Sequence, residues 1–89
     1  MISHITPDFR SLYRSPPDSI RRQARQAYGL FARDPHHPSL RFRMVHPRRP
    51  IDSARVGIDY RAVGVKDGDA IDWFWIGSHS EYDHLLRQL

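Results

Sequence analysis

The residues able to do chemistry crowd into one stretch of the chain: Arg55, Arg61, His79 and Tyr82, with Arg41 and Arg43 one candidate strand earlier. A guanidinium grips phosphate through two parallel charge-assisted hydrogen bonds. A histidine titrates near neutral pH and can give or take a proton. A tyrosine offers a hydroxyl and a ring on which a base can stack. Together these groups suggest a phosphate-handling face, and neither a metal nor a cofactor is expected.

Three strand-like runs and two short turns between Ile51 and Tyr82 must position them. Asp67-Gly68 between apolar runs predicts a two-residue hairpin loop. With those two residues as the loop, Val65 pairs with Ala70, Ala62 with Trp73, Arg61 with Phe74 and Tyr60 with Trp75. One face then carries Tyr60, Ala62 and Gly64 against Trp75, Trp73 and Ile71, large against small, as suits a sheet under packed helices. The other carries Arg61, Val63 and Val65 with Phe74 and Asp72. A three-residue loop centred on Ile58 sets Arg55 directly opposite Arg61, which is destabilising unless an anion lies between them. A one-residue shift of that loop would undo the pairing. The last strand runs back toward this turn, so Ser78, His79 and Tyr82 are expected at the same end as both arginines.

Upstream, Thr6-Pro7-Asp8 reads as a capped start of a short helix with Phe9, Leu12 and Tyr13 on its apolar face. A second helix begins near Ser15-Pro16-Pro17-Asp18, buries Ile20, Ala24, Ala27, Tyr28 and Phe31, and stops at Asp34-Pro35. Leu40-Arg41-Phe42-Arg43-Met44 alternates, so a strand with Leu40, Phe42 and Met44 toward the helices would point Arg41 and Arg43 to the side of Arg61. Pro47-Arg48-Arg49-Pro50 is a stiff loop. The order is two helices, four strands in an antiparallel meander, and a short helix from about Ser80.

At 89 residues the chain makes one domain, residues 1–89. Of its 14 basic residues 13 are arginine, and the charge is uneven: +7 through Arg61 and −3 from Ala62 onward. That bias favours an anionic polymer or an acidic protein as partner, while codon usage alone could produce the same arginine excess. The absence of cysteine removes disulfides and thiolate metal sites and fits a cytosolic protein. Neither a signal core nor an apolar run of membrane-spanning length is present, so no membrane partner is expected.

Arg55-Val56-Gly57, Asp59-Tyr60-Arg61, the Asp-Gly hairpin, Trp73 to Gly77 and the ending Gly77-Ser78-His79 occur in an order that resembles the RelE/ParE toxin superfamily. The resemblance spans nearly the whole chain, including the helical hairpin and Pro38-Ser39-Leu40-Arg41-Phe42. It implies an α+β RelE-like fold: an N-terminal helical hairpin on a four-stranded antiparallel sheet with a short C-terminal helix. It also implies a type II toxin neutralised by a cognate antitoxin. Some members cleave messenger RNA on the ribosome; others inhibit DNA gyrase without chemistry.

For the nucleases, the resemblance implies attack of the ribose 2′-OH on the adjacent phosphate. Arg61 matches the phosphate-binding arginine of the Tyr-Arg motif, and Arg55 lies near a position that is often basic. His79 stands where arginine or histidine follows the last strand, as candidate acid or base. Tyr82 would orient the nucleophile or stack on a base. Two features depart from RelE: Ser53 replaces a second lysine, and Tyr82 follows His79 more closely than the terminal tyrosine follows its arginine there.

Each assignment has a plainer counterpart. His79 could cap the last strand or begin the last helix, Tyr82 could pack with Leu85 and Leu86, and Arg61 could pair with Asp59 or Asp72 on the surface. Phe74 either packs or gives RNA a stacking surface beside Arg61. Arg21, Arg22 and Arg25 read as a solvated helix face, with antitoxin or RNA contact as the lesser reading. His36 and His37 lack the further ligands a metal site needs.

Overall fold

The computed structural model describes all 89 residues: β1 (Ile2–Ile5), α1 (Pro7–Tyr13), α2 (Asp18–Arg33), a 3-10 turn (Pro38–Leu40), β2 (Arg43–Met44), β3 (Ile51–Val56), β4 (Tyr60–Asp67), β5 (Ala70–Ser78) and α3 (His79–Gln88). Thr6 starts α1 as its type suggests. Its Oγ1 accepts the Phe9 N–H at 3.2 Å and donates to the Trp73 carbonyl at 2.9 Å, which ties the helix start to β5. The cap residue of α2 is Pro17, which offers no side-chain cap. Asp18 in the first turn, where a carboxylate complements the helix dipole, pairs with Arg21. Arg21 Nη1 also donates to the Pro16 carbonyl at 2.6 Å.

The sheet order is β1-β5-β4-β3-β2. Strands β2 to β5 form the expected antiparallel meander. The fifth strand is a correction: β1 lies parallel to β5, from Ile2 opposite Ala70 to Ile5 opposite Trp73. Ile2–Ile5 carries no alternation of its own; it becomes a strand because β5 offers a free edge, where Ile2 N–H reaches the Asp69 carbonyl at 2.8 Å.

A second correction concerns Leu40–Met44. Only Arg43 and Met44 are strand, because Arg41 takes a left-handed conformation (φ 44°) after the 3-10 turn and breaks the alternation. Leu40 is buried and Phe42 packs edge-on against Phe31 at 4.9 Å, but Met44 is 67% exposed.

The β4–β5 hairpin forms, shifted from the expected register. Its loop is Gly68-Asp69, with Asp67 opposite Ala70, because Gly68 (φ 58°) sits at the first loop position, which demands a positive φ. That two-residue shift preserves the faces. Between Gly64 opposite Trp73 and Val63 opposite Trp75, a bulge then leaves Phe74 as the extra residue. Trp75 is thereby turned away from Trp73 to the opposite face of the sheet.

Both faces are covered. Beneath α1 and α2, Phe31 of α2 packs with Leu40, Ala54, Ala62, Ile71 and Trp73, the Phe31 and Trp73 rings edge-to-face at 5.3 Å. On the other face Ile51, Val63 and Tyr82 are buried, joined by Phe74, Trp75 and the leucines of α3. The C-terminal helix therefore roofs the sheet face that carries the arginines.

Candidate functional site

At one end of the sheet, Gly57-Ile58-Asp59 forms the three-residue turn that joins β3 to β4, closed by Val56 opposite Tyr60. This register places Arg55 opposite Arg61, and Arg61 opposite Gly77 of β5. The adjoining row on the same face runs Arg43, Ser53, Val63, Trp75.

Neither facing arginine has a carboxylate partner. Arg55 Nε donates to the Gly57 carbonyl at 3.0 Å, and Arg61 Nη1 to the Tyr60 carbonyl at 2.9 Å. The turn thus anchors each guanidinium by one edge and leaves donors free. The surface ion pair of Arg61 with Asp59 or Asp72 does not form; the chain's ion pairs are Asp18–Arg21 and His79–Asp83. Burial, followed by the charge of Arg55, pushes the Arg61 guanidinium below its ordinary range. Arg41 and Arg43 act in the same direction, and Tyr82 opposes them. Four arginines therefore raise one positive potential, with Arg61 at its most desolvated point.

Trp75, redirected by the bulge, floors this area. A Cβ on Gly77 would lie 2.5 Å from its indole ring, so only glycine lets the ring cross the strand beside Arg61.

His79 is the first residue of α3. Ser78 caps that helix in a reciprocal box: its Oγ accepts the Glu81 N–H at 3.3 Å while Glu81 Oε1 accepts the Ser78 N–H at 2.9 Å. The Ser78 N–H bond, joined by the Ser78 hydroxyl donating to the same carboxylate at 2.8 Å, holds the Glu81 carboxyl below its usual range. The His79 N–H donates to the Asp59 carbonyl at 2.6 Å, tying the helix start to the arginine turn. Its Nδ1 lies 3.4 Å from Asp83 Oδ2, with both side chains about half exposed, and Nε2 makes no hydrogen bond within the protein.

Tyr82 is placed differently from the expected stacking platform. It is 4% exposed, with its ring centroid 6.4 Å from Trp75 and 6.0 Å from His79, and its hydroxyl donates to Ser53 Oγ at 3.1 Å. A base cannot reach that ring. Phe74 also does not lie opposite Arg61: Gly77 takes that place, and Phe74, the bulge residue beside Val63 and Gly64, packs in the cluster under α3. Arg41 and Arg43 are both exposed on the flank, Arg43 opposite Ser53.

Two contributors escaped the sequence reading. Asp83 sits four residues after His79, a helical spacing that signals the contact. Ser53 as the partner of Tyr82 has no local signal, since 29 residues separate them. No group of three or more His, Cys, Asp or Glu side chains is arranged to hold a metal ion.

The arrangement can hold an anion between Arg55 and Arg61 and can move a proton at His79 Nε2. The Tyr82 and Ser53 hydroxyls are buried against each other and are not free to act as nucleophiles.

A family model described as a ParE-like toxin domain matches residues 18–84. No curated protein matches the sequence. Among solved structures, the chain is similar to one in the RelB-RelE antitoxin-toxin complex from Methanococcus jannaschii, with a TM-score of 0.73 and 18% identity over 91% of this chain and 96% of that one. It is also similar to YafQ from E. coli (TM-score 0.69, 9% identity, 90% and 94% covered). The isolated E. coli RelE toxin gives a TM-score of 0.63 at 13% identity, with 99% and 98% covered. At these identities the likeness is one of fold, and it spans the α+β architecture with its helical hairpin and sheet.

Proposed function

The chain belongs to the ParE-like toxin domain family, and from that premise we propose that it is the toxin of a toxin–antitoxin pair that cleaves messenger RNA on the ribosome. The observation that carries this reading is the apposition of Arg55 and Arg61, both without carboxylate partners, beside a histidine whose Nε2 makes no hydrogen bond within the protein.

In this reading the two arginines grip the scissile phosphate and stabilise the charge that grows on its oxygens. The neighbouring ribose 2′-OH loses its proton and attacks phosphorus, closing a 2′,3′-cyclic phosphate while the bond to the 5′-oxygen breaks. That leaving oxygen takes a proton. His79 Nε2 serves one of these transfers, with Asp83 orienting the ring. Tyr82 positions: its ring and its bond to Ser53 hold the first turn of α3 against the arginine strands. Arg41 and Arg43 extend the cationic flank along the RNA backbone.

A cognate antitoxin is the expected protein partner, in line with the antitoxin complex of the similar M. jannaschii structure. A groove of about 530 Å³ between α1 and α2, lined by Ile5, Phe9, Tyr13 and Tyr28 with Arg10 and Arg25 at its rim, fits an acidic amphipathic segment of that partner. Work on the ribosome places the protein in the cytoplasm, and no helix is long and apolar enough to cross a membrane.

Pulse labelling after induction without antitoxin tests the reading. Amino-acid incorporation is expected to stop first. If thymidine incorporation and supercoiling fail while protein synthesis continues, the chain is a gyrase inhibitor instead.

A further inference from the structure

Arg55 belongs to two sites at once. Besides facing Arg61, it closes one end of a groove of about 310 Å³ between α2 and the β3–β4 turn, lined also by Gln23, Gln26, Leu30, Ser39 and Ile58. We infer that this groove holds the unpaired base of the nucleotide next to the phosphate gripped by Arg55 and Arg61, an inference that rests on the ribonuclease reading.

The lining has the chemistry a nucleobase needs. Gln23 and Gln26 stand three residues apart, on one side of α2, and neither carboxamide makes a hydrogen bond within the protein. Each offers a donor and an acceptor in one plane, the pattern that reads a base edge. Leu30 and Leu40 supply an apolar floor, and Ile58, 76% exposed at the tip of the turn, supplies an apolar rim. The volume lies within the range of small-molecule pockets.

The turn is shaped around one of these amides. A Cβ on Gly57 would lie 1.9 Å from Gln23 Oε1, so the carboxamide rests on the bare Cα of a glycine whose φ of 69° already disfavours a side chain. The Gly57 carbonyl in turn accepts from Arg55 Nε. One turn residue thereby sets both the amide that would meet the base and the guanidinium that would meet its phosphate. A nucleobase is favoured over a protein segment because Arg55, which lines this groove, also faces Arg61 and can hold the phosphate attached to that base.

The test is cleavage of ribosome-bound messages that differ only in the bases flanking the cut, by wild type, Gln23→Ala/Gln26→Ala and Arg61→Ala. Wild type is expected to discriminate among bases at one flanking position by roughly 5- to 100-fold, the range of one good amide–base pair. The double variant should cut all four within about threefold of one another, a loss of most of that discrimination. Gln26→Glu, which replaces a donor by an acceptor, should change which base is preferred. Unaltered discrimination in the double variant, or an indifferent wild type, overturns the inference while leaving the ribonuclease reading intact. So does a double variant that discriminates normally but no longer captures antitoxin, which would mark the groove as a protein surface. If wild type cuts no message at all, the ribonuclease reading fails and this inference falls with it.

Discussion

Arg55 and Arg61 stand opposite each other across β3 and β4 with no carboxylate between them. Directly opposed residues in an antiparallel pair have Cβ atoms only about 4.5–5.5 Å apart. Two guanidinium groups at that separation repel, and the partial burial of Arg61 adds to the cost. The fold tolerates the pair through carbonyl contacts from the turn. An anion arriving between them would remove the repulsion, so the strand register itself favours an anionic ligand at this point.

Arg61→Ala should abolish toxicity without unfolding the protein, since the side chain supports no packed neighbour on the helix side. Loss of the contact should remove on the order of 2–4 kcal/mol of transition-state stabilisation, lowering cleavage by roughly 30- to 1000-fold. Circular dichroism alongside a cleavage assay checks both halves. A folded variant with full activity would reduce Arg61 to a surface charge.

His79→Gln keeps a hydrogen-bonding side chain at the start of α3 but cannot shuttle a proton. Single-turnover cleavage should drop about 10²–10⁴-fold with ribosome binding retained. His79→Arg separates the roles: retained activity identifies a cation that binds phosphate, whereas a loss matching that of glutamine identifies proton transfer. Equal rates for all three proteins would assign His79 to a structural role at the start of α3 alone.

Tyr82→Phe removes the bond to Ser53 and leaves the ring in place. Because the Ser53 hydroxyl stays buried, stability should fall by about 0.5–1.5 kcal/mol in urea titrations. Cleavage should stay within roughly tenfold, below what loss of a general acid–base group costs. Tyr82→Ala opens a cavity between Trp75 and α3 and should cost about 3–5 kcal/mol. A Tyr82→Phe protein that is stable yet inactive would restore the hydroxyl to the chemistry.

Asp52 gives a pH signature away from the site. It is 4% exposed on β3, and burial raises its pKa above the ordinary carboxylate value, with Lys66 opposing. Between the unfolded and folded values the native state holds more protons than the unfolded chain, so this group makes stability fall as pH rises through that window. Asp52→Asn should flatten that fall and leave the variant more stable than wild type at pH 7. Glu81 acts oppositely. Its lowered value adds stability above the usual glutamate range that disappears as pH falls through its folded pKa, and Glu81→Gln should erase that acid limb. Urea midpoints at pH 3 to 8 measure both.

Features carried by neighbours in the chain were legible from the residues alone. The cap at Thr6, the turn at Asp67 to Asp69 and the three-residue turn around Ile58 each involve contacts over a few positions, so the facing of Arg55 and Arg61 follows from loop length. An error of two residues in the β4–β5 register left the faces unchanged, because side chains alternate with a period of two. The single-residue bulge at Phe74 was not forgiving. It reversed Trp75 and moved Phe74 away from Arg61.

The sequence by itself determined the inventory of the candidate site, the arginines proposed to hold phosphate and the histidine proposed to carry the proton, and the α+β order of elements that brings them to one end of a sheet. Only the tertiary structure decided that β1 closes the edge of β5, that α3 roofs the arginine face, that Tyr82 is locked to Ser53 and that Gln23 lies on Gly57. Turn and cap preferences act between residues a few positions apart and can be read one segment at a time. Strand edges, bulges and buried hydroxyl pairs depend on which distant surfaces compete for the same space, and that competition is settled only when the whole chain packs.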